Sequence, residues 1–188
     1  MALLEVDGIS VSFGGLQALN KVTLNVEPGC IYGLIGPNGA GKSTLFNCLS
    51  RIYKPDEGRI HFNGANLLAY APHQIIQLGI ARTFQNTELF KSMSVVEHLI
   101  VGQHRISRGN VFSSSFGLGR KEGKEVEARA DRIIDLLGLN DIRNDGVRDL
   151  PLGHQKLVEL GRAVCTMPKL LLLDEPAAGM NSTETNRL

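Results

Sequence analysis

Gly36-Pro37-Asn38-Gly39-Ala40-Gly41-Lys42-Ser43-Thr44 decides how the rest of the chain is read. It fits the phosphate-loop pattern, two glycines separated by five positions and followed by Lys and then Ser or Thr. Its flanks fit too. Cys30 to Ile35 is a short apolar run suited to a buried strand, and Lys42 to Leu49 is compatible with a helix. Gly36, Gly39 and Gly41 allow a tight turn in which successive N–H groups face inward toward phosphate oxygens. A helix starting near Lys42 would aim the positive end of its dipole at the same anion. In such loops the lysine, here Lys42, reaches the β- and γ-phosphates and the next hydroxyl, here Ser43, binds Mg²⁺.

Working outward, Leu3 to Phe13 and Val22 to Val26 alternate apolar and polar residues, as strands of an antiparallel sheet with one wet face do. Lys54 to Gly58 is a turn cluster, and Arg59 to Phe62 is strand-like and closed by the hairpin pair Asn63-Gly64. Pro72 to Leu78 reads as a short helix stopped by Gly79, and Ile80 to Phe84 as a strand ending at Gln85. Ser94 to Gln103 is a helix with a cap at Ser94 and its reciprocal partner at Glu97. Residues 105–120, with three consecutive serines and three glycines, read as a mobile insertion whose basic residues are solvated. Helical periodicity resumes over Lys121 to Leu137 and over Gln155 to Met167, stopped by Gly138 and Pro168.

Lys169 to Asp174 is the second landmark, an almost continuous leucine run that suits a strand buried on both faces of a parallel sheet. Asp174 and Glu175 stand at its carboxyl end, where open α/β sheets bind ligands. Adjacent carboxylates in such a place are costly unless they hold a metal or move protons. Asp174 is placed to hold Mg²⁺ through water, and Glu175 to orient or deprotonate an attacking water.

Composition narrows the classes. The 188 residues suit one sizeable domain, and the net charge of +1 gives no global field for nucleic acid or an anionic membrane. The longest apolar runs are far too short to span a bilayer, and Glu5 and Asp7 stand too early for a secretory signal. Cys30, Cys48 and Cys165 are scattered in apolar surroundings and read as small buried residues of a reducing compartment.

Together these residues resemble the ATP-binding subunit of an ABC transporter, over the whole chain. The resemblance implies an α/β fold: a P-loop NTPase core of the ABC type with a parallel sheet, an N-terminal antiparallel β subdomain and an inserted helical subdomain over residues 88–150. It implies ATP and Mg²⁺ as cofactors, with Gly36, Asn38, Gly39, Ala40, Gly41, Lys42, Ser43 and Thr44 around the phosphates. Phe13 takes the position of the aromatic that stacks on adenine. Gln85 falls at the Q-loop, which contacts Mg²⁺ and the attacking water. The catalytic pair is then Glu175 and Gln85, and the metal ligands are Ser43, Gln85 and Asp174. The surface around Phe84 to Met93 is where the family docks its membrane subunit. Phe13 to Leu19, the insertion after Gln103 and Pro176 to Asn181 are similar to the group that powers branched-chain amino-acid import. The implied partners are a second ATP-binding subunit, head to tail, and transmembrane permease subunits. A periplasmic or extracellular solute-binding protein acts indirectly. The implied place is the cytoplasmic face of the membrane, with no nucleic acid involved.

Two departures from the family pattern carry expectations. The signature motif, ordinarily Leu-Ser-Gly-Gly-Gln, is here Leu150-Pro151-Leu152-Gly153-His154. Pro151 offers neither hydroxyl nor N–H. Gly153 and the following helix N-terminus remain for the partner's nucleotide, with a loss of about 1.5–3 kcal/mol for one charge-assisted contact. The chain also stops before the family's switch histidine and its strand, so it reads as a single domain cut short at its C-terminus, missing its last core strand, with weak or absent hydrolysis. Two other readings stay open. One is a soluble ABC-type ATPase without a membrane partner, and the other is a non-hydrolysing regulatory nucleotide-binding partner.

Overall fold

The computed structural model describes residues 2–83, 89–103 and 120–178, with the side chains of 120–122 excepted. The chain divides into two units, Met1–Ile80 and Ala81–Leu188.

In the first unit, β1 (Leu4–Phe13) is the central strand of the antiparallel layer. It pairs on one side with β2 (Leu16–Val26) and on the other with β3 (Glu57–Phe62), beyond which lies the two-residue β4 (Ala65–Asn66). Strict alternation would bury only even-numbered residues of β1, yet Leu4, Val6, Ile9 and Val11 are all buried. The register shifts between Val6 and Ile9, beside Gly8 at φ +58°, restore one apolar face after the phase change. Gly58 is needed for the same reason, because a Cβ there would stand 2.6 Å from the Asp7 carbonyl oxygen. Both hairpin turns use left-handed residues, Gly14 with Gly15 and Asn63 with Gly64. The helix α1 (Lys42–Leu49) matches its expected limits and buries Leu45, Cys48 and Leu49. Pro72–Gln74 forms a 3₁₀ turn that leads into α2 (Ile75–Leu78), ended by Gly79 at φ +98°.

One expectation fails. Cys30 to Ile35 is not a strand: it is exposed, with Ile35 92% accessible. Cys30 is likewise exposed rather than buried. A strand exists only by exchanging hydrogen bonds with a neighbour, and this run is in neither of the sheets formed by the described residues.

The second unit opens within β5 (Ile80–Arg82), which pairs with β6 (Leu170–Leu172). Three helices supply its core: α3 (Val95–Gly102), α4 (Arg120–Leu137) and α5 (Leu152–Val164). Val95, Leu99, Ile134, Leu157 and Val158 meet there fully buried or nearly so. Helix α5 starts before the expected Gln155 and stops before Met167, so Gly153 lies in its first turn. Close approach of helices rests on small residues: a Cβ on Gly102 would come 2.7 Å from the Arg162 carbonyl oxygen. Buried Gln103 ties α3 to α4, donating to the carbonyls of Leu99 and Val126 while accepting from Arg129. The start of α3 shows the expected capping box between Ser94 and Glu97. Its N–H groups at Val95 and Val96 donate to the carbonyls of Asp145 and Arg143, which satisfies a helix end that would otherwise be unpaired.

Candidate functional site

The phosphate loop is a bare backbone feature. Gly39 and Gly41 have φ of +83° and +85°, which only glycine adopts without strain. Gly41 is also the N-cap of α1, and the space beside it is closed: a Cβ would meet the Ala18 carbonyl oxygen at 2.5 Å. The loop is thereby pinned to β2 at one end, while Gly36 through Ala40 stay exposed. No side chain caps α1 and no acid occupies its first turn, so its first N–H groups and the dipole face open solvent. Lys42 folds back over the loop, its Nζ donating to the carbonyls of Gly36 (2.7 Å) and Pro37 (2.8 Å). Ser43 is exposed and Thr44 half-buried. The Ala40 N–H also donates to the Pro37 carbonyl, at 3.2 Å.

Phe13 ends β1 with 45% of its surface exposed, so core packing does not account for it. Its ring stands edge-on to Tyr53 at 5.2 Å, an aromatic pair in the same unit as the loop.

The second unit carries the acidic turn. Thr83 N–H donates to the Leu172 carbonyl at 3.0 Å, setting the ends of β5 and β6 side by side. Two residues beyond β6, the Asp174 carboxylate accepts from Arg82 at 2.8 Å, and both side chains are nearly buried, 11% and 9% exposed. Glu175 is exposed, at φ +48°; a left-handed non-glycine residue stores local strain of the kind found at working sites. The turn is closed by Ala178 N–H donating to the Glu175 carbonyl. Lys156 on α5 reaches across to the carbonyls of Glu175 and Ala178. Thr83, Lys156, Glu159, Asp174 and Glu175 line one small cleft. Gln85 lies outside the described residues, as do Phe84 and residues 86–88.

At the start of α5, Pro151 is the N-cap with φ −53° and ψ +151° and makes no side-chain cap. Gly153 is buried. Gln155 donates to the Leu150 carbonyl at 2.8 Å, and the buried Nδ1 of His154 has no partner among the described residues. Nearby, Phe90 is half exposed, and its N–H donates to Nε2 of the fully buried His98 at 2.9 Å. Nδ1 of His98 lies 2.8 Å from the Ser94 carbonyl, so it carries the proton, and burial lowers the imidazole pKa from its ordinary value. Glu97 is held below the usual carboxylate range by the Ser94 N–H and hydroxyl. Burial pushes the thiols of Cys48 and Cys165 up to about 11. Neither is a nucleophile near neutral pH, which agrees with a packing role.

Sequence reasoning placed Asp174 and Glu175 but missed Arg82, Lys156 and Tyr53. Arg82 had one signal, a cation inside the apolar run Ile80 to Phe84 that needs a buried anion. Lys156 and Tyr53 had none.

The comparisons with known proteins point to one family. A family model described as ABC transporter matches residues 19–178. The high-affinity branched-chain amino acid transport ATP-binding protein BraF of Pseudomonas aeruginosa is 41% identical over 188 residues, spanning 99% of this chain and 74% of that protein. The corresponding LivG protein of Escherichia coli K12 is 42% identical, with the same shares covered. Among solved structures, the ADP conformation of an ATP-binding cassette of an ABC transporter superposes with a TM-score of 0.82 at 35% identity, over 100% of this chain and 74% of that one.

Proposed function

The chain belongs to the ABC transporter family, and from that premise we propose that it is the ATP-binding motor subunit of a membrane importer for branched-chain amino acids. The observation that carries this reading is the loop from Gly36 to Thr44, with Lys42 poised over carbonyls that a phosphate would replace. The importer class rests on the two transport ATP-binding proteins that match nearly the whole chain. The adenine ring would stack on Phe13. Backbone N–H groups of Gly39 to Thr44 and the Lys42 ammonium would hold the β- and γ-phosphates.

The oxygen donors fit Mg²⁺. No cluster of three His, Cys, Asp or Glu forms a protein cage among the described residues. Mg²⁺ asks for less than that, one or two protein oxygens alongside phosphates and water. The Ser43 hydroxyl and the Asp174 carboxylate are hard donors, and Oδ1 of Asp174 makes no hydrogen bond among the described residues. When bound, Mg²⁺ neutralises charge on the β- and γ-phosphates. Glu175, at the strained turn, would orient the attacking water and take its proton, with Gln85 as the second contact.

Partners would be a second cassette, permease subunits met through the surface around Leu89 and Phe90, and, indirectly, a solute-binding protein outside the membrane. No helix among the described residues is long and apolar enough to cross a membrane, so attachment to its cytoplasmic face would run through those partners. In the dimer, the N-terminus of α5 would approach the partner's nucleotide through Leu152 and Gly153, without the hydroxyl that Pro151 lacks.

The test is uptake of labelled leucine, isoleucine and valine by cells whose own copy of this gene carries Lys42→Ala. Uptake should fall to background for these three solutes. Unchanged uptake would contradict the proposal.

A further inference from the structure

We propose that Arg82 is a positioning residue for the metal site, holding the Asp174 carboxylate by one oxygen so that the other is presented to Mg²⁺. The proposal rests on the nucleotide-binding reading above and adds a residue that reading does not use.

The geometry is specific. Arg82 ends β5 and Asp174 follows β6, and the Thr83 to Leu172 hydrogen bond between those strand ends fixes their register. The ion pair it sets up is 2.8 Å long and goes to Oδ2 alone. Oδ1 makes no hydrogen bond or ion pair among the described residues. Both side chains are about nine-tenths buried, so a carboxylate at this position without a counter-charge would be destabilised by desolvation and free to rotate. A guanidinium is planar, permanently charged and directional, whereas an ammonium is a point charge on a flexible stem. Arginine therefore fixes the plane in which Oδ1 lies. Residues that orient a metal ligand from behind in this way are worth roughly ten- to a hundredfold in metal affinity.

The same pair has an opposing effect. The guanidinium would be a positive charge close to a cation held by Asp174, and simple repulsion would make its removal strengthen metal binding. The sign of the change therefore separates a positioning residue from a mere competitor for the carboxylate.

The test uses the full chain and a fluorescent ATP analogue, titrated with and without Mg²⁺, and then Mg²⁺ titrated into the protein–nucleotide mixture. Four variants are compared with the unaltered protein: Arg82→Met, Arg82→Lys, Asp174→Asn and the double variant Arg82→Met/Asp174→Asn. Binding without Mg²⁺ reports the phosphate loop and proper folding, and the proposal expects it to be unchanged in Arg82→Met and Arg82→Lys. It expects the Mg²⁺ requirement to rise about tenfold or more in Arg82→Met, to rise less in Arg82→Lys, and to be the same in the double variant as in Asp174→Asn alone. Tighter Mg²⁺ binding in Arg82→Met, or an unchanged requirement, overturns it. A loss of binding in Arg82→Met and Arg82→Lys that is the same with and without Mg²⁺ means a purely structural role and also overturns it. If the unaltered chain binds the nucleotide with no response to Mg²⁺, the metal reading itself fails and takes this proposal with it.

Discussion

From Gly36 to Ala40 every residue is exposed, and among the described residues the only side-chain hydrogen bonds to the loop come from Lys42. Around Asp174 the situation reverses: a nearly buried ion pair, a strand-end hydrogen bond and a lysine from α5 converge on the stretch from Leu172 to Glu175. On the proposed function the loop needs freedom, since its N–H groups would have to close around an anion and release it. The turn would need fixity, since a metal ligand that wanders loses its geometry. Substitutions in the loop should therefore change ligand binding with little change in stability. Substitutions at the turn should change both.

The largest effect is expected at the turn. Arg82→Met leaves the Asp174 carboxylate buried without its counter-charge and should lower unfolding free energy by about 3 kcal/mol, read by urea denaturation. Adding Asp174→Asn should return part of the loss, and a variant as stable as the parent would break the contrast. Lys42→Ala is the counterpart in the loop. ATP affinity should drop at least about a hundredfold, as expected for losing charge-assisted contacts to two phosphates, with the melting temperature nearly unmoved. A large fall in melting temperature would mean that Lys42 is structural.

Gly41→Ala sharpens the boundary between the two behaviours. Gly41 belongs to the loop by sequence, but its neighbour is the Ala18 carbonyl and its φ is +85°. It should cost about 2 kcal/mol of stability, whereas Gly39→Ala, with nothing within 4 Å, should lose only what its own positive φ demands. Equal losses would show that packing at Gly41 is irrelevant.

The smallest effect concerns pH. His98 is neutral in the fold, with its pKa depressed by burial, whereas an unfolded histidine takes a proton near pH 6.5. Below that value the unfolded chain binds more protons, so this contribution is complete above about pH 6.5 and is lost as pH falls. Up to about 1 kcal/mol should disappear between pH 7 and 5.5, and the Phe90 N–H should exchange faster. His98→Gln should flatten this part of the slope, and an identical slope in that variant would exclude His98 as its source.

Local chemistry was legible from the residues. The limits of α1, the box between Ser94 and Glu97, and the turn at Asn63-Gly64 follow from short-range rules and stand as expected. The family assignment was legible too, because the phosphate loop and the Leu170 to Pro176 stretch are specific patterns. What was hidden depends on partners distant in sequence. Arg82 and Asp174 are 92 residues apart, and no spacing rule joins them. The shift near Gly8 in β1 could not be read without knowing which face is buried. Cys30 to Ile35 has the composition of a buried strand, but a strand is a property of two chains of hydrogen bonds, and composition describes one.

The central claim is that Gly36 to Thr44 binds ATP phosphates through its backbone. Amide hydrogen exchange, measured with and without MgATP, reads those N–H groups directly. Slowed exchange concentrated in Gly39 to Thr44 is the predicted result. Unchanged exchange there at saturating ATP would contradict the account.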